Sequence, residues 1–202
     1  MHDYNEFWKW FTDHNESLTM LNDLDDAEGQ RLLDEVQQQL DHYCEGLTYE
    51  MSEPGPSGRT FTISAEGDTD LFRYVVELVD NAPDLDWWEF VAFRQPQGTD
   101  LKVSFERFRF ETKKMYFMQL ESEEEPDILG IRVALPDPVD DDEDQLVGVY
   151  VTIEALIGEF DCATLVGYLD TCAIPAEPLK AGFRPMDDLP EFVEWFKQQR
   201  DK

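Results

Sequence analysis

Runs of carboxylates are the residues of this sequence that could do chemistry. The densest run, PDPVDDDED, spans residues 136–144. Calcium takes six to eight oxygen ligands from a shaped loop, but this run lacks the spacing and the central glycine of an EF-hand. The run also precedes a predicted helix, and carboxylates at a helix N-terminus stabilise the positive end of the helix dipole. We therefore expect an exposed acidic interaction surface that includes Asp140, Asp141 and Asp142, with no bound metal or cofactor.

A second acidic run, ESEEEPD, spans residues 121–127 and lies between two predicted strands. We interpret it in the same way, as solvated charge in a loop. Its central residues, Glu123, Glu124 and Glu125, are further members of the expected acidic interaction surface.

One segment of this acidic chain is rich in basic residues and forms a cation cluster. Five of the 16 basic residues fall within 13 positions on or between two predicted strands. These cations either pair with nearby carboxylates and guard a strand edge, or form a local site for an anion or a partner. The five residues are Lys102, Arg107, Arg109, Lys113 and Lys114.

No motif in the sequence specifies a reaction. The chain lacks a GxSxG elbow, a P-loop, GxGxxG, CxxC and HExxH. A glycosidase-like pair of carboxylates cannot be chosen among 46 acids. Cys44, Cys162 and Cys172 lie in segments of apolar pattern, and their spacing pairs none of them with a histidine, so we expect reduced, buried thiols. A non-enzymatic protein is favoured over an enzyme.

The net charge narrows the classes of partner. The chain carries 46 acids against 16 bases, a net charge of −30, so it repels nucleic acid and anionic membranes and attracts basic proteins. At 42% hydrophobic and 13% aromatic residues the chain can nevertheless build a core, which disordered acidic chains cannot. No apolar stretch approaches the ~20 residues that span a bilayer, and the N-terminus lacks a signal-peptide pattern. We expect a cytoplasmic protein.

Hydrophobic periodicity predicts helices and strands in alternation. The predicted helices span 5–14, 26–45, 69–81 and 144–157, with a last one that Asp187 and Asp188 cap. Asp3 and Glu6 have capping-box spacing at the start of the first helix, and aromatic residues are expected to anchor the first and last helices in the core. The expected buried faces are Phe7, Trp8 and Phe11 in the first helix, Leu146, Val149, Tyr150, Ile153 and Ile157 in the helix at 144–157, and Phe192, Val193 and Phe196 in the last helix. The predicted strands span 60–65, 87–94, 101–110, 115–120, 128–135 and 163–173. The strand at 87–94 is apolar on both faces and is expected to be central. After Phe105 the apolar residues change parity, which predicts a bulge or bend near Glu106–Arg107.

The order of these elements predicts an α+β fold. Two strand–helix–strand units of ferredoxin-like type flank a pair of middle strands, in a mixed or antiparallel sheet with helices mostly on one face. The segment EPGPSG at 53–58 is the strongest linker signal. We expect one domain over 1–202, made of a helical segment at 1–52 and a β-rich core at 59–202 that ends in a helix.

Four segments of the chain together resemble a family of uncharacterised bacterial cytosolic α+β proteins. They are FWKWF at 7–11 and the segments 61–97, 153–170 and 185–196. The resemblance implies an α+β fold and a bacterial cytoplasm. The family brings no established activity and no functional residues.

Three functions remain open from the sequence. The first is a soluble binding or regulatory protein that engages a basic partner, such as a nucleic-acid-binding protein, through its carboxylate surface. The second is that the acidity serves only solubility or a salty cytoplasm. The third is an enzyme with an unrecognised carboxylate site. The sequence does not indicate an oligomeric state.

Overall fold

The computed structural model describes residues 3–121 and 125–200, which form two compact units, Met1–Arg94 and Gln95–Lys202. The α+β class is confirmed. So are two strand–helix–strand units with parallel strands, although they lie in separate sheets. The expectation that the whole chain is a single domain stays a prediction.

The first unit packs three helices with a three-stranded sheet. Its strand order is β1-β2-β3, with β1 and β2 antiparallel and β2 and β3 parallel. In chain order the elements are α1 (Tyr4–Thr19), α2 (Asp26–Tyr43), β1 (Thr48–Met51), β2 (Arg59–Ser64), α3 (Phe72–Asp80) and β3 (Trp88–Ala92).

Aromatic side chains hold the first unit together. Phe7 and Phe11 of α1 are fully buried, and the ring of Phe11 lies 5.1 Å from that of Phe61 on β2. The indole N–H of Trp8 donates to the carbonyl of Leu78 in α3 (2.8 Å), which satisfies the one polar atom of a buried ring. Asp3 begins α1 as predicted, because its carboxylate accepts the backbone N–H of Asn5 (2.9 Å). The predicted aromatic anchoring of the first helix is confirmed.

Two expectations for the first unit are wrong. Residues 53–58 connect β1 to β2 in a hairpin, so they do not separate a helical segment from a β-rich core. The strand expected at 87–94 is central in the prediction but lies at the edge of this sheet.

A backbone hydrogen bond positions the start of β3 beside β2: the N–H of Arg59 donates to the carbonyl of Trp87 (2.8 Å). A Cβ at Gly58 would lie 2.1 Å from that carbonyl oxygen, so only glycine fits.

The second unit contains a hairpin, a four-stranded sheet and three helices. The sheet has the order β8-β7-β6-β9, and β7 and β8 are parallel. The elements are β4 (Lys102–Phe105), β5 (Phe108–Glu111), β6 (Tyr116–Leu120), β7 (Leu129–Leu135), α4 (Glu143–Ile157), α5 (Glu159–Leu165), β8 (Val166–Ala173), β9 (Arg184–Pro185) and α6 (Leu189–Arg200).

The core of the second unit lies between β7 and the helices that follow it. Ile131 and Val133 of β7 share one buried cluster with Val149 and Ile153 of α4. The predicted apolar face of the last helix is confirmed, since Phe192, Val193 and Phe196 are buried in the same cluster. Leu146, expected in the buried stripe of α4, is instead 38% exposed.

The change of parity near Glu106–Arg107 is a hairpin turn rather than a bulge. Phe105 pairs directly with Phe108, so β4 and β5 are separate antiparallel strands.

The strand expected at 163–173 begins only at Val166, because the helix α5 occupies the residues before it. Asp187, expected to cap the last helix, accepts the backbone N–H of Asp100 (3.2 Å). None of the described helices has the length and apolarity needed to cross a membrane.

A matched pair of glycine substitutions tests the packing of α4. A Cβ at Gly148 would lie 2.4 Å from the buried ring of Phe110, whereas a Cβ at Gly29 in α2 would meet Leu21 at an ordinary 3.8 Å. Alanine favours a helix over glycine by about 1 kcal/mol, but overpacking costs about 1–3 kcal/mol. We expect Gly148→Ala to lower the free energy of unfolding in urea and Gly29→Ala to raise it. Equal stabilisation by both would contradict the packing of α4 against β5.

Candidate functional site

The strongest candidate site is a groove at one edge of the four-stranded sheet. Because β7 and β8 are parallel, their carboxyl termini lie at the same end of the sheet, where α4 also begins. Ligands of open α/β sheets bind in such places. The groove has a volume of about 650 Å³. It is lined by residues 138–143, Leu146 of α4, and residues 169–173 of β8. We call residues 136–144, which join β7 to α4 and include the first two residues of α4, the acidic loop.

The carboxylates of this groove differ in their partners. Asp142 accepts the N–H of Gln145 (2.9 Å), caps α4 and forms an ion pair with Arg107. Asp170 binds the guanidinium of Arg132 through two hydrogen bonds of 2.6 and 2.8 Å. The exposed acids Asp140, Asp141 and Glu143, by contrast, make no ion pair within residues 3–121 and 125–200. The uncompensated charge of the groove therefore lies on the loop.

Gln145 fixes the conformation of the acidic loop. Its buried side chain accepts the N–H of Val139 (2.8 Å) and donates to the carbonyl of Asp137 (3.0 Å), so both ends of one amide bind loop backbone. Asp140, Asp141 and Glu143 lie between Val139 and Gln145, so the contact between these two residues fixes both ends of the segment that carries them. Gln145 was not singled out from the sequence, although Asp142 and Gln145 have the D-x-x-Q spacing of a capping box.

The cation cluster is largely engaged by neighbouring groups. Arg107 pairs with Asp142 and Asp144, Lys113 with Asp100 (2.5 Å) and Lys114 with Glu111 (2.7 Å). Such pairs favour the interpretation of these cations as partners of the acidic surface.

The remaining two cations lie on the β4–β5 hairpin. Arg109 donates to the backbone carbonyl of Phe108 (2.8 Å), and Lys102 lies opposite Glu111. A second groove of about 500 Å³ is lined by residues that include Arg107, Arg109 and Lys114. An anion or partner site at this cluster stays a prediction.

The second acidic run is only partly described. Glu123 and Glu124 lie outside the described residues, and Glu125 is exposed. The structure therefore brings Asp140, Asp141 and Asp142 into one groove, and Glu125 is not among the residues that line it.

Two observations on the described residues bear on metal binding and on acid–base chemistry. No three or more of their histidine, cysteine, aspartate and glutamate side chains are placed to hold a metal ion. A hydrogen bond from Arg94 lowers the pKa of Glu66, and one from Lys114 lowers the pKa of Glu111. A carboxyl group that acts as a general acid needs a raised pKa instead.

The three thiols differ in exposure. Cys44 and Cys162 are buried as expected, whereas Cys172 is half-buried and lines the groove beside the acidic loop. Burial raises the pKa of the Cys162 thiol to about 12, and burial also raises the pKa of Cys172. Neither shift produces the reactive thiolate of a catalytic cysteine.

Comparison of the chain with protein-family models, with curated proteins and with solved structures found no match. The resemblance to a bacterial cytosolic family stays a prediction.

Alkylation of the thiols tests the openness of the groove. With a pKa of about 12, Cys162 is a thiolate in only about one molecule in ten thousand near pH 8, and it is also buried. We expect iodoacetamide to label Cys172 at least about tenfold faster than Cys162 in the folded protein. Peptide mass spectrometry measures both rates, and equal rates after urea unfolding serve as the control. Labelling of Cys162 as fast as Cys172 in the folded protein would contradict this geometry.

Proposed function

We propose that this chain is a non-enzymatic binding protein that engages a basic partner protein through its carboxylate surface. The contact is centred on the acidic loop before α4. The observation that carries the proposal is the unpaired state of Asp140, Asp141 and Glu143 in a groove that also exposes apolar side chains.

The distribution of charge supports this function. Among the described acids only Glu159 is buried, so nearly all the negative charge lies at the surface. With 16 bases against 46 acids, internal pairing leaves most carboxylates uncompensated. Such a surface accelerates encounter with cationic proteins and repels polyanions. Nucleic acids and anionic membranes are therefore not the partners that we propose.

The groove adds features that diffuse charge alone does not provide. Its loop is held by the two hydrogen bonds of Gln145, so the carboxylates need little ordering when a partner binds. Leu146 and Leu169 line the same groove and offer apolar contact beside the charge. A site that combines the two can select a partner rather than bind every cation.

A cytoplasmic location is part of the proposal. The three cysteines are free, and two of them are buried. Free cysteines are typical of proteins from reducing compartments.

Charge-neutral variants test the proposed surface. Asp140→Asn, Asp141→Asn and Glu143→Gln in one protein change the net charge from −30 to −27. They leave the cap residue Asp142 intact. We expect this triple variant to bind a fluorescent oligolysine peptide more weakly than the wild type in anisotropy titrations at about 50 mM salt. The matched control is Asp80→Asn, Asp84→Asn and Asp86→Asn, which makes the same charge change on exposed residues of the first unit.

The salt dependence of wild-type binding completes this test. We expect the affinity for oligolysine to fall at least about twofold between about 50 and 300 mM salt, because added ions screen the carboxylates. A smaller fall, or equal losses in the two triple variants, would contradict a partner site at the loop. The acidity would then serve solubility, and the melting temperature should rise between about 0.1 and 2 M KCl as self-repulsion is screened.

A further inference from the structure

The long edge strand β8 indicates how a basic partner binds, an inference that rests on the proposed function. With eight residues, β8 is the longest strand described, and it pairs with β7 on one side at the end of its sheet. The other end of that sheet is β9, which has only two residues, one of them Pro185. Proteins commonly shorten edge strands or place proline or charge on them to prevent pairing with other chains. By that standard β9 is protected by its length and its proline. The one charge on β8, Asp170, is paired with Arg132 of β7 and leaves the outer edge of β8 open.

The backbone of β8 presents, in a regular register, hydrogen-bonding groups that pair with none of the described residues. The N–H of Ile174, the residue after β8, donates to the carbonyl of Leu135 (3.3 Å) and so points toward β7. Alternate residues of an extended strand point the same way. The N–H and C=O groups of Leu169, Thr171 and Ala173 therefore face away from β7. The pairing is regular from Tyr168 to Ala173, so this alternation is unbroken.

The acidic groove follows this open edge. Residues 169–173 are consecutive, and all five line the groove, so residues of both faces of the strand contribute. A groove on one face of the sheet would be lined by every second residue. The groove thus runs along the edge of β8, with the acidic loop and Leu146 as its other wall.

The charge of the groove selects among the chains that could occupy this edge. A second copy of this protein would bring another net charge of −30 and another acidic loop to the same edge. A basic segment instead gains Coulomb attraction to Asp140, Asp141 and Glu143 while its backbone pairs with β8. We propose that β8 binds, by strand addition, an extended peptide segment of the partner that carries lysine or arginine between apolar residues.

A proline substitution tests strand addition without removing the charge. Thr171→Pro deletes an N–H that faces away from β7, so all β7–β8 hydrogen bonds remain, and proline is tolerated on the open side of an edge strand. The probe is a fluorescent peptide of alternating lysine and valine, since valine favours an extended backbone. We expect Thr171→Pro to weaken its binding at least about tenfold. The matched variant Thr171→Val keeps the N–H and should change binding by less than about twofold.

A modified peptide covers the case in which the proline variant does not fold. The same lysine–valine peptide with an N-methyl group on every backbone nitrogen keeps its charge but cannot donate a backbone hydrogen bond from either edge. We expect the wild-type protein to bind it at least about tenfold more weakly than the unmodified peptide.

The outcomes separate this inference from the proposed function. Equal, salt-sensitive binding of both peptides would overturn strand addition and leave a basic partner standing. Binding of neither peptide at about 50 mM salt would overturn both. Dimers of the wild type that Thr171→Pro converts to monomers in sedimentation would identify a second copy as the occupant and overturn the inference.

Discussion

The parallel pairing of β7 with β8 is the interaction on which the candidate site depends. Parallel neighbours need a crossover connection, and α4 with α5 provides it. The crossover places the start of α4 beside the carboxyl termini of both strands. The loop from β7 to α4 therefore lies at the same end of the sheet as the last residues of β8. Gln145 then holds that loop through backbone hydrogen bonds at Asp137 and Val139. The groove follows from these constraints together, and no one of them produces it alone.

Burial of apolar side chains in the core offsets the electrostatic self-repulsion of the surface. A net charge of −30 destabilises any compact state by self-repulsion, and each unit offsets it with a core rich in aromatic or branched side chains. In the first unit Phe7, Phe11 and Phe61 are almost fully buried. In the second unit Ile131 and Val133 pack among helical residues. Many cations pair with individual acids, which relieves local repulsion without neutralising the surface. The acids left unpaired in the groove are therefore those available to another molecule.

Local signals in the sequence predicted more of the fold than of the site. Asp3 marks the start of α1 because a cap needs only neighbouring residues, and the apolar periods of β2 and α4 arise within single segments. The hairpin turn at Glu106–Arg107 differs from the predicted bulge or bend, because it lacks the glycine or asparagine that usually marks a two-residue hairpin. The groove depends on which strands pair and in what register, and periodicity carries no such information. The acidic run and the strand at 163–173 were both visible in the sequence, but their position side by side was not.

The central proposal is that basic chains bind along the edge of β8 beside the acidic loop. Residue-resolved hydrogen exchange, measured by NMR with and without the lysine–valine peptide, tests this claim most directly. The amides of Leu169, Thr171 and Ala173 should exchange quickly in the free protein and slow markedly in the complex, because each would donate to the added strand. Unchanged exchange at all three amides, with protection elsewhere or spread evenly over the surface, would contradict it.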